Sequence, residues 1–400
     1  MKKVLVVVAL FIGILFLSGI KKTSDDLVNI KVGGLLSLTG NWSSLGLTSQ
    51  EAMNLAVKEI NNRMEQTGSR YRFSITIYDT KLDSSQAQAS IREAFRNNIR
   101  YIIGPQSSAE VQAIAGFANA NGILVVSQGS TAGSLAIPGD AIFRFCPGDN
   151  VQGDAMAQAI YGAGGRVLIS VSGDDVGNMG LQKAVGKAFL SRGGTVDALT
   201  PWSPTFTDFS ALLATLKGKI QQKITEVGAD KVAVYLASFD IAKELFRQAS
   251  ADPVFSSVRW YGGDGIALSS ELLSDASASS FAVAAKFFAP TLGLPRQVNP
   301  DLAAVAEAIK NKTGIEPDAY SLAAYDALWV IARTVVAFPE PPNDFTKVKE
   351  TFQREANQFY GITGPMYLNV AGDRSKGNFD YWGIVNESGT YRWKWVGRSL

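Results

Sequence analysis

Apolar and polar positions along the chain follow two rhythms, the two-residue alternation of strands and the three-to-four-residue recurrence of helices. "IKVGGLLSL" (Ile30 to Leu38) reads as a buried strand, and Thr48 with Glu51 forms a T-x-x-E capping signal ahead of Ala52, Leu55, Ala56 and Ile60 on one helical face. "YRFSITIYD" alternates as a strand does, while "SSQAQASIREAFRN" sets Ala87, Ile91, Ala94 and Phe95 on one side of a helix. "YIIG" and "ILVVS" predict two more strands, separated by a helix that opens in "GPQSSAE" and closes at Asn121 and Gly122. Such alternation predicts a parallel sheet covered on both faces.

The pattern then restarts. Helical periodicity in "NVQGDAMAQAIYGAGG" leads to a strand in "RVLISV" and a helix in "GNMGLQKAVGKAFLSRGG". "TDFSALLATLKGKI" is a helix behind a Thr207 or Asp208 cap, followed by a strand in "KVAVYLA", a helix in "IAKELFRQAS" and a strand with its exit turn in "VRWYGGDG". Two successive series imply an α/β fold of two lobes with similar architecture. "APTLGLPRQVNP" and "FPEPPND" are connections or surface loops, and "DYWGIV" with "TYRWKWVG" predicts a strand pair around "NESG".

Length and composition agree with this reading. A chain of 400 residues exceeds the size at which one core keeps growing, and 46% apolar with 18% charged residues suits a folded chain. The net charge of +2, from 38 basic and 36 acidic residues, supplies no broad field for nucleic acid, so the expected partner is a small molecule. There is no histidine and a single cysteine, Cys146, which excludes disulfides, zinc-type ligand sets and histidine-activated nucleophiles. "MKK" precedes seventeen uncharged residues, Val4 to Ile20, and then Lys21 and Lys22. That layout predicts a secretory signal, and the run is long enough to anchor the chain if retained, so residues 1–26 are expected to be signal or anchor.

Candidate chemistry gathers in small polar clusters after the strands: "SLTGNWSSLG", "GPQSSAE", "SQGSTAG", "SGDDVGN", "SFD" and "GGDG". In open α/β sheets this is where ligands bind and helix N-termini point their amides. Ser107 and Ser108 suit either a helix cap or an anion grip, and Ser127, Ser130 and Thr131 offer a second set of donors. No P-loop or G-x-G-x-x-G fingerprint occurs, so no nucleotide cofactor is expected. Asp264 among glycines suits a ligand contact or a turn bonding its own backbone. The adjacent Asp174 and Asp175 suit a carboxylate-based hydrolase or a metal only if further ligands exist, and otherwise a turn at a helix start. Trp42, Leu45, Phe239, Tyr320 and Tyr325 suit a pocket wall or plain core.

The order of "IKVGGLLSLTGNWSSLG", "IIGPQSS", "GILVVSQGSTAGSL", "FRFCPGDNVQGDAMA", "DDVGNMG" and "EPDAYSLAAYDAL" resembles that of type I periplasmic binding proteins. The subfamily it is most similar to is the leucine/isoleucine/valine-binding one that serves branched-chain amino-acid ABC importers. The resemblance implies two Rossmann-like lobes with parallel sheets, joined by a three-strand hinge and closing on a solute. It places the crossings near Phe145 to Asp149, Phe287 to Thr291 and Gly372 to Phe379. The lobes would comprise residues 27–146 with 290–372, and 147–289 with 373–400. It further implies a carboxylate held by Ser108 and Thr131, and an ammonium held by the Gly129 carbonyl, the Thr131 hydroxyl and Asp264. Permease subunits are the implied protein partners of an exported monomer, with no enzyme activity and no cofactor.

Departures from that subfamily fall on the side-chain pocket. Val176 stands where many relatives carry tyrosine, Ser238 and Phe239 follow "VYLA", Asp264 replaces glutamate, and Leu45 and Trp42 occupy the covering loop. A branched-chain side chain is therefore not assured. The competing expectations are a membrane-tethered sensor for an amide or aromatic carboxylate, and more remotely a hydrolase using Asp174, Asp175 or Asp264.

Overall fold

The computed structural model describes residues 27–203, 206–296 and 299–399; the expected signal or anchor segment lies outside them. The chain opens with β1 (Val28–Leu36), α1 (Ser43–Gln66), β2 (Tyr71–Asp79), α2 (Ser84–Arg96), β3 (Tyr101–Ile103), α3 (Ser108–Asn121), β4 (Leu124–Ser127) and β5 (Ile142–Pro147). It continues with α4 (Asp149–Gly162), β6 (Val167–Ser172), α5 (Val176–Ser191), β7 (Thr195–Ala198), α6 (Ser210–Val227), β8 (Val232–Ala237) and α7 (Ala242–Ala249). Next come α8 (Pro253–Ser256), β9 (Arg259–Gly262), α9 (Ser270–Leu273), α10 (Ala276–Ala284) and β10 (Phe288–Leu292). The last part holds α11 (Pro300–Thr313), α12 (Ala319–Val336), α13 (Phe345–Asn357), the short pair β11 (Tyr360–Gly361) and β12 (Gly364–Pro365), then β13 (Asp373–Arg374), β14 (Phe379–Glu387) and β15 (Thr390–Arg398).

Two sheets organise these elements into two lobes. The first has the order β13-β5-β4-β3-β1-β2 and is parallel throughout. Its strands are covered on both faces, so β4 ("LVVS") is buried at every position. The second has the order β15-β14-β10-β9-β8-β6-β7. It is parallel from β10 to β7, and β14 and β15 pair antiparallel at its edge, as the strand pair expected around "NESG" requires. The cause is local: Ser388 and Gly389 both have positive φ (54° and 90°), the conformation of a two-residue hairpin turn that reverses the chain at once.

The chain passes between the sheets three times, after β5, after β10 and between β13 and β14. α12 is the buried spine of the first lobe; it packs on α1, and its Ala323, Ala324 and Ala327 are fully buried. A bidentate ion pair fastens two of the crossings. Arg144 on β5 donates from Nε to Asp373 Oδ1 at 2.6 Å and from Nη2 to Oδ2 at 2.7 Å, with both side chains buried.

Several helix starts follow local capping rules. Asp83, Asp175, Asp318 and Asp344 each cap a helix by accepting an amide from its first turn. Asp208 accepts from the Ser210 N–H at the start of α6, one residue before the actual N-cap, Phe209. The T-x-x-E signal at Thr48 is not a helix start. α1 begins earlier, at Ser43, after Trp42 in the left-handed region (φ 61°), and the Thr48 hydroxyl donates back to the Ser44 carbonyl inside the helix.

Candidate ligand-binding cleft

The polar clusters after the strands meet between the lobes. In "GPQSSAE", Gly104 has φ 90° and lies so close to β1 that a Cβ would stand 2.1 Å from the Leu35 carbonyl, so only glycine lets the chain leave the sheet there. The next turn separates the two serines. Ser107 is the N-cap of α3 in a capping box: its Oγ accepts from the Glu110 N–H at 3.3 Å, and its own N–H donates to Glu110 Oε2 at 3.0 Å. Ser108 points instead toward the loop after β4, sharing a 3.0 Å hydrogen bond with the Ser130 hydroxyl and accepting from the Ala132 N–H at 3.1 Å.

That loop is anchored from below. Arg144 Nη1 donates to the Ala132 carbonyl at 2.6 Å, and the Thr131 carbonyl accepts from the Asp149 N–H at 2.9 Å. Gly129 lies under the Trp42 and Leu45 side chains, which would stand 3.1 and 3.3 Å from a Cβ placed there. The Trp42 ring in turn packs across the cleft on Phe239, centroids 4.8 Å apart.

From the second lobe, Asp264 follows β9 and is fully enclosed. Its Oδ2 accepts from the Tyr320 hydroxyl of α12 at 2.7 Å, and its Oδ1 from the Gly265 N–H at 3.0 Å, so the turn role and a place in the cleft coexist. With the Gln152 amide oriented to satisfy both ends, its nitrogen donates to Asp264 Oδ2 at 3.0 Å and its oxygen accepts from the Asp264 N–H at 3.2 Å. Burial raises the Asp264 carboxyl above its usual range, against the pull of these donors. Val176, at the start of α5, packs against the apolar cluster of the first lobe that holds Val111 and Ala132.

Other expected residues go elsewhere. The Tyr325 hydroxyl bonds Glu59 on α1 and takes no part in the cleft. Asp175 is spent capping α5, accepting from the Gly177 and Asn178 N–H groups at 3.0 Å each. No group of three or more metal-ligating side chains occurs among the described residues, and no described helix is long and apolar enough to cross a membrane.

Several cleft residues escaped the sequence reading. The Ser44 hydroxyl meets the Ser270 hydroxyl at 2.9 Å and accepts from the Ser270 N–H at 3.0 Å, and Asn41 Oδ1 accepts from the Ile241 N–H at 3.2 Å, each joining the lobes directly. Asp240 accepts from the Ser269 hydroxyl, and burial pushes its carboxyl up to about 6. Asp149 is buried where the Thr131 hydroxyl and the Gly133 amide favour its charge, yet burial first and nearby Asp264 next push its carboxyl up to about 7. Arg144 alone carried a signal, as a charge inside the apolar strand "IFRFCP".

A pair of α/β lobes closed over a polar cleft defines a two-lobed ligand-binding protein. The chain belongs to the receptor family ligand binding region, whose model matches residues 48–387. It is 27% identical to the uncharacterized protein MJ1266 of Methanocaldococcus jannaschii, over 97% of this chain and 96% of that protein. Its fold is similar to that of the leucine-binding protein LivK of Thermotoga maritima, with a TM-score of 0.73 and 21% identity over 92% of this chain and 98% of that one. It also resembles an ABC transporter solute-binding protein of R. palustris solved with benzoate, with a TM-score of 0.71 and 18% identity over 92% of this chain and 96% of that one.

Proposed function

We propose that the protein is the extracytoplasmic solute-binding component of an ABC importer, taking a small amino acid or related carboxylate between its lobes and handing it to permease subunits without chemistry. What supports this reading is that buried Ser108 and Thr131 belong to the first lobe, while buried Asp264 follows β9 of the second and bonds Tyr320 of the first. A zwitterion leaving water needs both of its ends paired, at a cost of several kcal/mol per unpaired charge. Hydroxyl and amide donors suit the carboxylate; Asp264 and the Gly129 carbonyl suit the ammonium. Because the two ends belong to different lobes, occupancy favours closure, which a permease can read.

Titration calorimetry and thermal shift with amino acids test this directly. Asp264→Ala is expected to cost roughly 3–5 kcal/mol of affinity for an amino acid. Unchanged affinity would remove the ammonium from that end. The Trp42 and Phe239 rings facing each other at 4.8 Å favour a second reading, an aromatic carboxylate bound by Ser108 and Thr131 with no need of Asp264. Benzoate binding that survives Asp264→Ala would support it.

A further inference from the structure

Asp149 opens α4 directly after the first passage between the sheets. Its N–H donates to the Thr131 carbonyl at 2.9 Å, and its carboxylate faces the Thr131 hydroxyl and the Gly133 amide of the same loop. From the second lobe α5 lies over it: a Cβ on Gly180 would stand 2.3 Å from Asp149 Oδ2 and 4.0 Å from the Ala132 Cα, so only glycine leaves room for the carboxylate at this seam. Gln152, three residues further along α4, grips Asp264 by both ends of its amide. Residues at that spacing are neighbours on a helix, so the first turn of α4 brings the two acids to one place.

Two carboxylates enclosed together resist carrying charge at once unless a cation joins them. Arg144 on β5 favours a charged Asp149, but its Nε and Nη2 are spent on Asp373 of β13 and its Nη1 on the Ala132 carbonyl. Cys146 on β5 and Tyr235 on β8 also face Asp149, both held neutral by burial. On α5, Asp175 caps the helix, and Lys183 and Lys187 are exposed; Asp154 on α4 itself is exposed and paired with Arg192. Around Asp264, α12 supplies the Tyr320 hydroxyl and Asp318, which caps that helix. The empty site is therefore one positive charge short, and burial and Asp264 push the Asp149 carboxyl up to about 7.

We propose that Asp149 is a proton-linked positioning residue of the solute site: neutral in the empty cleft, it releases its proton to solvent when a solute ammonium reaches Asp264. The assignment rests on the reading that the ammonium sits beside Asp264. A neutral carboxyl can donate to the Thr131 oxygen, whereas a carboxylate accepts the Thr131 O–H and turns that oxygen's lone pairs toward the ammonium. Losing the proton thus sets Thr131 as an acceptor at the moment one is required.

The test is calorimetry on the full chain with L-alanine and L-leucine, and with propionate and 4-methylpentanoate, the same skeletons without the amino group. Amino-acid affinity is expected to rise about three- to tenfold between roughly pH 6 and pH 8, because the bound state holds the proton less tightly than the free one. Repeating the titration at about pH 7 in buffers of different ionisation enthalpy is expected to show release of roughly 0.2–0.5 proton per solute. Asp149→Asn, a fixed mimic of the neutral acid, is expected to keep the parent's low-pH affinity throughout and to release no proton. Its melting temperature without solute reports folding. A flat pH profile in the parent would overturn the linkage and leave the proposed function standing. So would a slope surviving in Asp149→Asn, which would move the proton to Asp240 or Asp318, whose carboxyls burial pushes up to about 6. The same release with propionate or 4-methylpentanoate would remove the ammonium as its cause. Binding of neither amino acid would overturn the linkage together with the amino-acid reading.

Discussion

Asp149 stands at the first turn of α4, where the helix dipole favours its charge, yet burial and Asp264 push its carboxyl up to about 7. Arg144 favours the charged form but is already paired to Asp373, and Tyr235 and Cys146 share the surroundings without supplying a cation. The folded state therefore holds a proton that the unfolded chain releases at the ordinary aspartate value. Its contribution to stability is complete below that value and is lost as pH rises from about 4 through about 7. Asp149→Asn is expected to stabilise the protein by roughly 1–4 kcal/mol at pH 8 and by little at pH 4, as read by denaturant unfolding at the two pH values. An equal effect at both would rule out the linkage. Residues of this kind were hard to read from the chain. The stretch "CPGDN" does not announce that the Asp149 carboxylate faces the Thr131 loop, because its neighbours come from distant segments. The capping role of Ser107 was legible for the opposite reason, since it depends on Glu110 three positions on.

At the scale of elements, periodicity predicted most strands and helices, and misplaced the start of α1. Trp42, Leu45 and Gly129 pack together across sequence, and that packing holds Trp42 left-handed and begins the helix without any side-chain cap. A local capping rule at Thr48 cannot see it. The hinge shows the same limit. β13 is only two residues long, too short for a periodic signal, yet it closes the edge of the first sheet through Asp373 and its pair with Arg144. Asp373→Ala would leave the Arg144 guanidinium buried with half its partners gone, and is expected to cost roughly 3–5 kcal/mol in chemical denaturation. Arg144→Met with Asp373→Leu is expected to recover much of that loss, because an apolar pair avoids the desolvation of two charges. Failure of the double variant to recover would assign the cost to the Ala132 carbonyl contact instead.

For the molecule as a whole, the direct bonds Ser44 to Ser270, Asn41 to Ile241 and Tyr320 to Asp264 join the lobes through the protein's own groups. Closure therefore draws on these as well as on any solute. Ser44→Ala is expected to enlarge the radius of gyration of the solute-free protein in small-angle scattering and to weaken solute affinity modestly, by about two- to fivefold, since the competent closed state becomes rarer. Identical scattering curves would mean that these bonds do not set the balance. The two-lobe architecture was legible from repeated strand-helix alternation, whereas the seam between the lobes was not, because its residues are single polar positions in separate loops.

The three passages between the sheets bear on how the chain reaches this state. The first sheet is completed by Asp373 and Arg374, and the second by Phe379 to Arg398, so neither lobe can be finished from a contiguous stretch of the growing polypeptide. Domain-by-domain folding from the N-terminus, the usual route for large chains, is closed to it until nearly the last residue has emerged. A polypeptide built this way leaves both sheets incomplete until the segment from Asp373 to Arg398 has been made.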